Sequence, residues 1–205
     1  MESIVLIFGT FNPVTNAHIR MGILAKEKVP GATVIYVPSK DRFLRGWKGL
    51  DEASVMTAET RLKLMRDALK PLGFIVDDIE ISTDISGKTY DTIAALRKKY
   101  SPENVYICMG TDKLREIHTW YKGAELISEN KWLIIKRDGH SVLDEASGEI
   151  LAHIENFTEI ENDSFETVSA SEIREAYKEG RLERIKGDIP ENVYGFLSQN
   201  GEVYK

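Results

Sequence analysis

Four short runs constrain the fold more than any other feature of the chain. Ile4 to Phe8, Thr33 to Val37, Val105 to Met109 and Trp132 to Ile135 are apolar or β-branched without strict polar alternation, the pattern of strands covered on both faces. Around them lie segments with helical spacing of apolar positions: Ala17 to Lys28, Ala58 to Leu69, Thr92 to Tyr100 and Leu114 to Ser128, the last broken near Thr119. Strands covered on both faces need helices on each side, and right-handed βαβ crossovers supply them. The alternation predicts an α/β fold with a doubly wound, mainly parallel sheet, whose ligands settle outside the carboxyl ends of the strands. Gly9 and Gly110 fall at such ends. Ser171 to Lys178 and Glu191 to Asn200 predict C-terminal helices. The 205 residues fit one domain, 1–205, on the prior of roughly 100 to 200 residues per domain. No repeat or linker interrupts them, and the most loop-like stretch is the polar run Asn162 to Thr167.

The first apolar run empties into Gly9-Thr10-Phe11-Asn12-Pro13-Val14-Thr15-Asn16-Ala17-His18. Two familiar nucleotide signatures fail here. The dinucleotide fingerprint G-x-G-x-x-G has Phe11 at its second glycine position, and no G-x-x-x-x-G-K-[ST] loop occurs. What remains is a strand, a tight turn that Gly9 permits, and a helix shaped at its start by Pro13 and capped by Thr15 or Asn16. The free N–H groups of such a helix start suit a phosphate, and His18 in the first turn can donate to the same anion. A lone histidine there is more often a surface or half-buried residue with no ligand. A second helix start supports the phosphate reading. In Val168-Ser169-Ala170-Ser171-Glu172-Ile173-Arg174, Ser169 with Glu172 fits a capping box, Ser171 could itself cap, and Arg174 follows one turn in. Brought together, the two helix starts would clamp a polyphosphate.

Composition excludes several function classes. A formal net charge of -6 leaves no global basic field, so binding of long nucleic acid is not expected, although a local basic pocket for one phosphorylated small molecule is compatible with it. The lone cysteine, Cys108, allows no internal disulfide and reads as a small buried hydrophobe. No apolar run approaches the ~20 residues that span a bilayer, and no leader pattern opens the chain, so the expected location is cytoplasmic with no membrane partner. His118, His140 and His153 lack metal-ligand spacing, and no protein metal site is expected.

The motifs carry a resemblance. Gly9-x-Phe11-x-Pro13 followed by Thr15-Asn16-Ala17-His18 is similar to the G-x-F-x-P-x-H/T-x-x-H signature of the nucleotidylyltransferase superfamily, and Val168-Ser169-Ala170-Ser171-x-x-Arg174 resembles its I-S-S-T-x-x-R motif. Three further segments narrow the likeness to nicotinate-nucleotide adenylyltransferases. Lys88-Thr89-Tyr90-Asp91-Thr92 resembles that family's Y-T-x-D-T, Gly110-Thr111-Asp112 with Thr119-Trp120-Tyr121 its G-A-D and T-W pair, and Lys136-Arg137-Asp138-Gly139 its R-P-G. The chain departs from the pattern at Thr15, which replaces a histidine as in the branch that uses nicotinamide mononucleotide. It departs again at Ala170 and Ser171, which replace Ser and Thr, and at Lys88, which stands where tyrosine is frequent.

The resemblance implies a Rossmann-like nucleotidylyltransferase fold and attack by the phosphate of nicotinate mononucleotide on the α-phosphorus of ATP, with release of pyrophosphate. It implies catalytic roles for His18 and Arg174. ATP and its phosphates would meet Gly9, Thr10, Phe11, Thr15, Gly110, Asp112, Ser169 and Ser171, with Lys48 the chosen cation among Lys40, Arg42, Arg45 and Lys48. The mononucleotide would meet Asn12, Thr89, Trp120, Tyr121 and Arg137, with Trp120 stacking on the pyridine and main-chain N–H groups near Thr89 and Tyr121 holding the carboxylate. Mg²⁺ would arrive bound through the ATP phosphates. Alternatives are a nicotinamide-mononucleotide or other small-molecule nucleotidylyltransferase, and a catalytically silent nucleotide-binding module. Self-association into a homo-oligomer is left open.

Overall fold

The computed structural model describes residues 2–41, 54–136, 141–162, 168–201 and 203–204. Six strands form one sheet: β1 (Ser3–Gly9), β2 (Thr33–Pro38), β3 (Ile75–Val76), β4 (Asn104–Gly110), β5 (Lys131–Ile135) and β6 (Phe157–Ile160). Their order is β3-β2-β1-β4-β5-β6, and the pairings of β1 with β4, β4 with β5 and β5 with β6 are parallel. This doubly wound order reverses direction between β1 and β4, the switch point at which such sheets bind ligands. The four expected strands are present. β3 and β6, not expected, are the edges. An edge strand has one neighbour and partial cover, so it needs no long apolar run: β3 is only Ile-Val, and β6 reads Phe-Thr-Glu-Ile.

The helices are α1 (Asn16–Lys28), α2 (Ala58–Leu69), α3 (Ile79–Ser82), α4 (Thr89–Tyr100), α5 (Leu114–Ile117), α6 (Gly123–Glu129), α7 (Val142–Glu145), α8 (Gly148–Leu151), α9 (Ala170–Lys178) and α10 (Glu191–Gln199). α2 has the expected bounds because Thr57 caps it, its hydroxyl accepting from Thr60 N–H at 3.2 Å. The expected break near Thr119 separates α5 from α6. Gly123 opens α6 at a close approach of backbone, where a Cβ would lie 2.5 Å from the Ile117 carbonyl oxygen. The short α3, α7 and α8 carry too few turns for a periodic signal.

The contacts group the chain into two compact units interleaved in sequence. The first comprises Met1–Phe8, Met21–Ile35 and Ile85–Ser164, and the second Gly9–Arg20, Tyr36–Asp84 and Phe165–Lys205. In the first, Trp132 is fully buried and stacks on Phe157 with centroids 5.5 Å apart and planes at 3°. Cys108 is buried there too, and burial pushes its thiol up to about 12, so it is an inert core residue at neutral pH. In the second, Phe11, Tyr36 and Phe74 form an aromatic column, with Phe11–Tyr36 centroids at 5.7 Å and Tyr36–Phe74 at 5.8 Å.

The turn after β1 is built differently from the expectation. The left-handed backbone falls on Phe11, at φ 46°, and not on Gly9. Glycine is required at position 9 by space: a Cβ would lie 2.8 Å from Phe11 Cζ. Phe11 is 1% exposed and cannot swing aside. Gly9→Ala is therefore expected to destabilise the fold by about 1–3 kcal/mol, lowering Tm by roughly 2–12 °C in a melt followed by circular dichroism. An unchanged Tm would show that the loop accommodates the methyl group.

Candidate active site

The second unit holds both helix starts singled out in the sequence. Thr15 immediately precedes α1 and is buried. Its main-chain N–H donates to His18 Nδ1 at 3.1 Å, and its hydroxyl lies 2.8 Å from the same nitrogen while also accepting from His18 N–H at 3.4 Å. An N–H that donates to Nδ1 needs a lone pair there, so the neutral ring carries its proton on Nε2. Phe11 supports the ring from one side, edge to face with centroids 5.0 Å apart at 73°. Tyr36 Oη fixes the backbone beneath it by donating to the His18 carbonyl at 2.8 Å. The Thr15 hydroxyl, a candidate phosphate ligand, also bears on the tautomer and pose of His18.

Asn12 has no exposure, and both ends of its amide are used within the protein. Nδ2 donates to the Ser54 carbonyl at 2.8 Å and Oδ1 accepts from Met56 N–H at 3.0 Å. Its side chain is thus a clamp on the chain before α2, which leaves its main chain for other partners. Arg174 takes that opportunity: Nη1 donates to the Asn12 carbonyl at 2.9 Å and to Ala170 O at 3.0 Å, while Nη2 donates to Ser171 Oγ at 2.9 Å. The fold therefore brings the start of α9 to the loop that leads into α1. The capping box forms as expected, Ser169 Oγ accepting from Glu172 N–H at 3.2 Å and Glu172 Oε2 from Ser169 N–H at 2.7 Å. These bonds hold the Glu172 carboxyl below the usual range. Ser169 is the cap, and Ser171 orients Arg174 instead.

Arg61 belongs to this cluster and has no counterpart among the expected residues. Fully buried on α2, it donates from Nη1 to Thr10 O at 2.8 Å and from Nη2 to Ser39 O at 2.9 Å and Asp41 Oδ1 at 2.6 Å. Its signal in the sequence is an arginine at a core-facing position, one turn before Met65 on the buried side of α2. The two arginines differ in electrostatics. Asp41 pairs directly with Arg61, whereas Arg174 makes no ion pair with any described residue; burial weighs most on it, against a smaller opposing pull from Glu175, and draws its guanidinium below the usual arginine range. A guanidinium held by carbonyls and a hydroxyl, with no carboxylate paired to it among the described residues, is suited to an anion.

The first unit holds the other expected residues. Gly110 ends β4 and is followed by the exposed Asp112, whose carboxylate lies 3.8 Å from Lys113 Nζ. Thr89 opens α4, and Lys88 at its cap position gives no side-chain acceptor to the first-turn N–H groups. Lys88 Nζ stands 4.0 Å over the Tyr121 ring and Lys122 Nζ 4.3 Å over the Tyr90 ring, while the two tyrosines meet edge to face at 6.4 Å. Trp120 is half-buried and Tyr121 exposed. Lys122 has φ 53°, a strained backbone for a side chain of this kind. Lys40 is half-buried. Arg42, Arg45, Lys48, Arg137 and His140 lie outside the described residues. No cluster of metal-ligating side chains occurs among the described residues, and none of their helices is long and apolar enough to cross a membrane.

Comparison with known proteins identifies the family and the fold. A family model described as cytidylyltransferase-like matches residues 6–176. A protein of Clostridium acetobutylicum named "probable nicotinate-nucleotide adenylyltransferase" is 26% identical over 204 residues, covering 98% of each chain. Among solved structures, the nicotinic acid mononucleotide adenylyltransferase of Plasmodium falciparum superposes with a TM-score of 0.75 at 18% identity in its complex with APC, covering 97% of this chain and 96% of that one. The same enzyme complexed with NaAD gives a TM-score of 0.75 at 19% identity over the same shares. At that identity the likeness establishes the fold.

Proposed function

Given that the chain belongs to the cytidylyltransferase-like family, we propose that it transfers the adenylyl group of ATP to nicotinate mononucleotide, forming nicotinate adenine dinucleotide and pyrophosphate. The observation that carries the reading is the pose of His18. With Nδ1 engaged by Thr15 N–H, the neutral ring is a donor at Nε2, at the start of a helix whose dipole favours an anion. The relatives' names and the lysine and tyrosine group of the first unit support a pyridine mononucleotide with an acidic ring substituent as acceptor.

The chemistry needs no covalent enzyme intermediate. A phosphate oxygen of the mononucleotide attacks the α-phosphorus in line, the bond from that phosphorus to the bridging oxygen of pyrophosphate breaks, and the pyrophosphate leaves with the electron pair. Negative charge grows on the α-phosphate oxygens in the transition state, and His18 Nε2–H donates there. Arg174, which is paired with no carboxylate among the described residues, redirects its N–H groups to the β- and γ-phosphates. Asp112 accepts from ribose hydroxyls, Trp120 stacks on the pyridine and the N–H groups near Thr89 and Tyr121 meet the carboxylate. The catalytic gain comes from positioning and fixed charge. Mg²⁺, when bound, adds charge neutralisation on the phosphate oxygens.

The purified chain with ATP, Mg²⁺ and nicotinate mononucleotide is expected to release pyrophosphate and form the dinucleotide in equal amounts, read by a coupled pyrophosphate assay and chromatography. Folded protein that turns over neither nicotinate nor nicotinamide mononucleotide would overturn the enzyme reading and favour a nucleotide-binding module.

A further inference from the structure

Among the buried polar side chains of the second unit that the chemistry leaves unused are Tyr204, whose ring meets Tyr177 edge to face, and Arg61. Arg61 is tied to the turn that carries the site. Burying a guanidinium costs free energy, so its partners indicate what it is there to hold. Nη1 donates to the Thr10 carbonyl at 2.8 Å, on the turn after β1. Nη2 donates to the Ser39 carbonyl at 2.9 Å and to Asp41 Oδ1 at 2.6 Å, just beyond β2. Ser39 is itself joined to the turn, its N–H donating to the Gly9 carbonyl at 2.9 Å. Gly9 and Thr10 are thereby fixed to the end of β2 and, through Arg61, to α2.

The next residue is Phe11, whose φ of 46° is an unfavourable backbone for a side chain of this size. It lies between two bound carbonyls, Thr10 O at Arg61 and Asn12 O at Arg174. When Arg174 turns to nucleotide phosphates it gives up its hold on Asn12, and Arg61, packed in the interior and paired with Asp41, keeps its own. The pose of Phe11 matters because its ring stands against the His18 imidazole, with centroids 5.0 Å apart at 73°. We propose that Arg61 is a positioning residue for His18: it locks the Thr10 carbonyl, which sets the left-handed turn at Phe11, which holds the ring against which the imidazole is aligned. Arginine suits this task and lysine does not, since a single ammonium lacks the two separated Nη atoms that reach the turn and the end of β2 together. The proposal rests on the adenylyl-transfer reading, in which His18 donates to the α-phosphate.

The test is steady-state kinetics of Arg61→Lys, Asp41→Ala and His18→Ala, with each of the first two also combined with His18→Ala. Arg61→Lys keeps the charge beside Asp41 and loses the fork, so kcat should fall about tenfold while the KM for ATP stays within about twofold. Tm should drop by no more than about 10 °C. Asp41→Ala leaves both carbonyl bonds of Arg61 in place and should lower kcat by about threefold; it carries the test if Arg61→Lys does not fold. In the His18→Ala background neither change should lower kcat further, because the group being positioned is gone. A residue that only stabilises the fold would lower turnover by the same factor in both backgrounds. Wild-type kcat in the folded variant, a loss undiminished in His18→Ala, or full turnover by His18→Ala itself would overturn the proposal and leave the adenylyl-transfer reading in place. A wild-type chain without turnover would overturn both.

Discussion

Replacing His18 by alanine is expected to lower kcat and kcat/KM together by about a hundredfold or more, with the KM for ATP little changed. The equal fall follows from where the hydrogen bond acts: charge develops on the α-phosphate oxygens only in the transition state, so a donor aimed there contributes little to ground-state binding. The fold should survive. The ring is half-buried, and its loss leaves one N–H of Thr15 without its acceptor, a cost of about 1–2 kcal/mol. Thr15→Val offers a graded companion, because it removes the hydroxyl that lies 2.8 Å from Nδ1 while keeping the main-chain donor. It should lower kcat by about tenfold, the smaller effect expected of a group that acts through another. A His18→Ala variant with near-normal turnover, or one that merely unfolds, would remove His18 from the chemistry.

Discrimination between acid and amide is the second large effect. The chain should use nicotinate mononucleotide in preference to nicotinamide mononucleotide by about ten- to over a hundredfold in kcat/KM, equivalent to about 1–3 kcal/mol. A carboxylate accepts from every donor it meets, whereas a carboxamide turns an NH₂ group toward one of them. Two structural features favour the acid. The start of α4 has no side-chain cap from Lys88, and two lysines lie over the Tyr121 and Tyr90 rings within 4.3 Å. The Thr15-Asn16-x-His18 sequence resembles the amide-using branch, but Thr15 is bonded to His18, whose proposed role lies in the phosphate chemistry common to both substrates. Side-by-side kinetics with the two mononucleotides decide the point, and equal values or preference for the amide would refute it. In the same assay Trp120→Ala should raise the KM for the mononucleotide far more than that for ATP, since the stacking partner serves one substrate.

The sequence by itself determined the central strands, the helices of three or more turns and the two helix starts proposed to meet phosphate, because each rests on local rules. A buried parallel strand must be apolar on both faces, a helix start needs its cap, and the capping box of Ser169 and Glu172 is complete within four consecutive residues. What depends on groups far apart in the chain was decided only by the tertiary structure. Gly9 is needed for the space taken by the Phe11 ring and not for its own backbone. The Asn12 amide is spent on Ser54 and Met56, and the Asn12 carbonyl is met by Arg174 from the other end of the chain. The edge strands escaped notice because partial cover imposes no apolar run. Arg61 and Tyr204 escaped for the opposite reason: each is a polar group carried into the interior by packing, and its partners are set by where distant segments meet. Local pattern selects which groups can bind a phosphate, and long-range packing selects which of two arginines keeps the charge to do so.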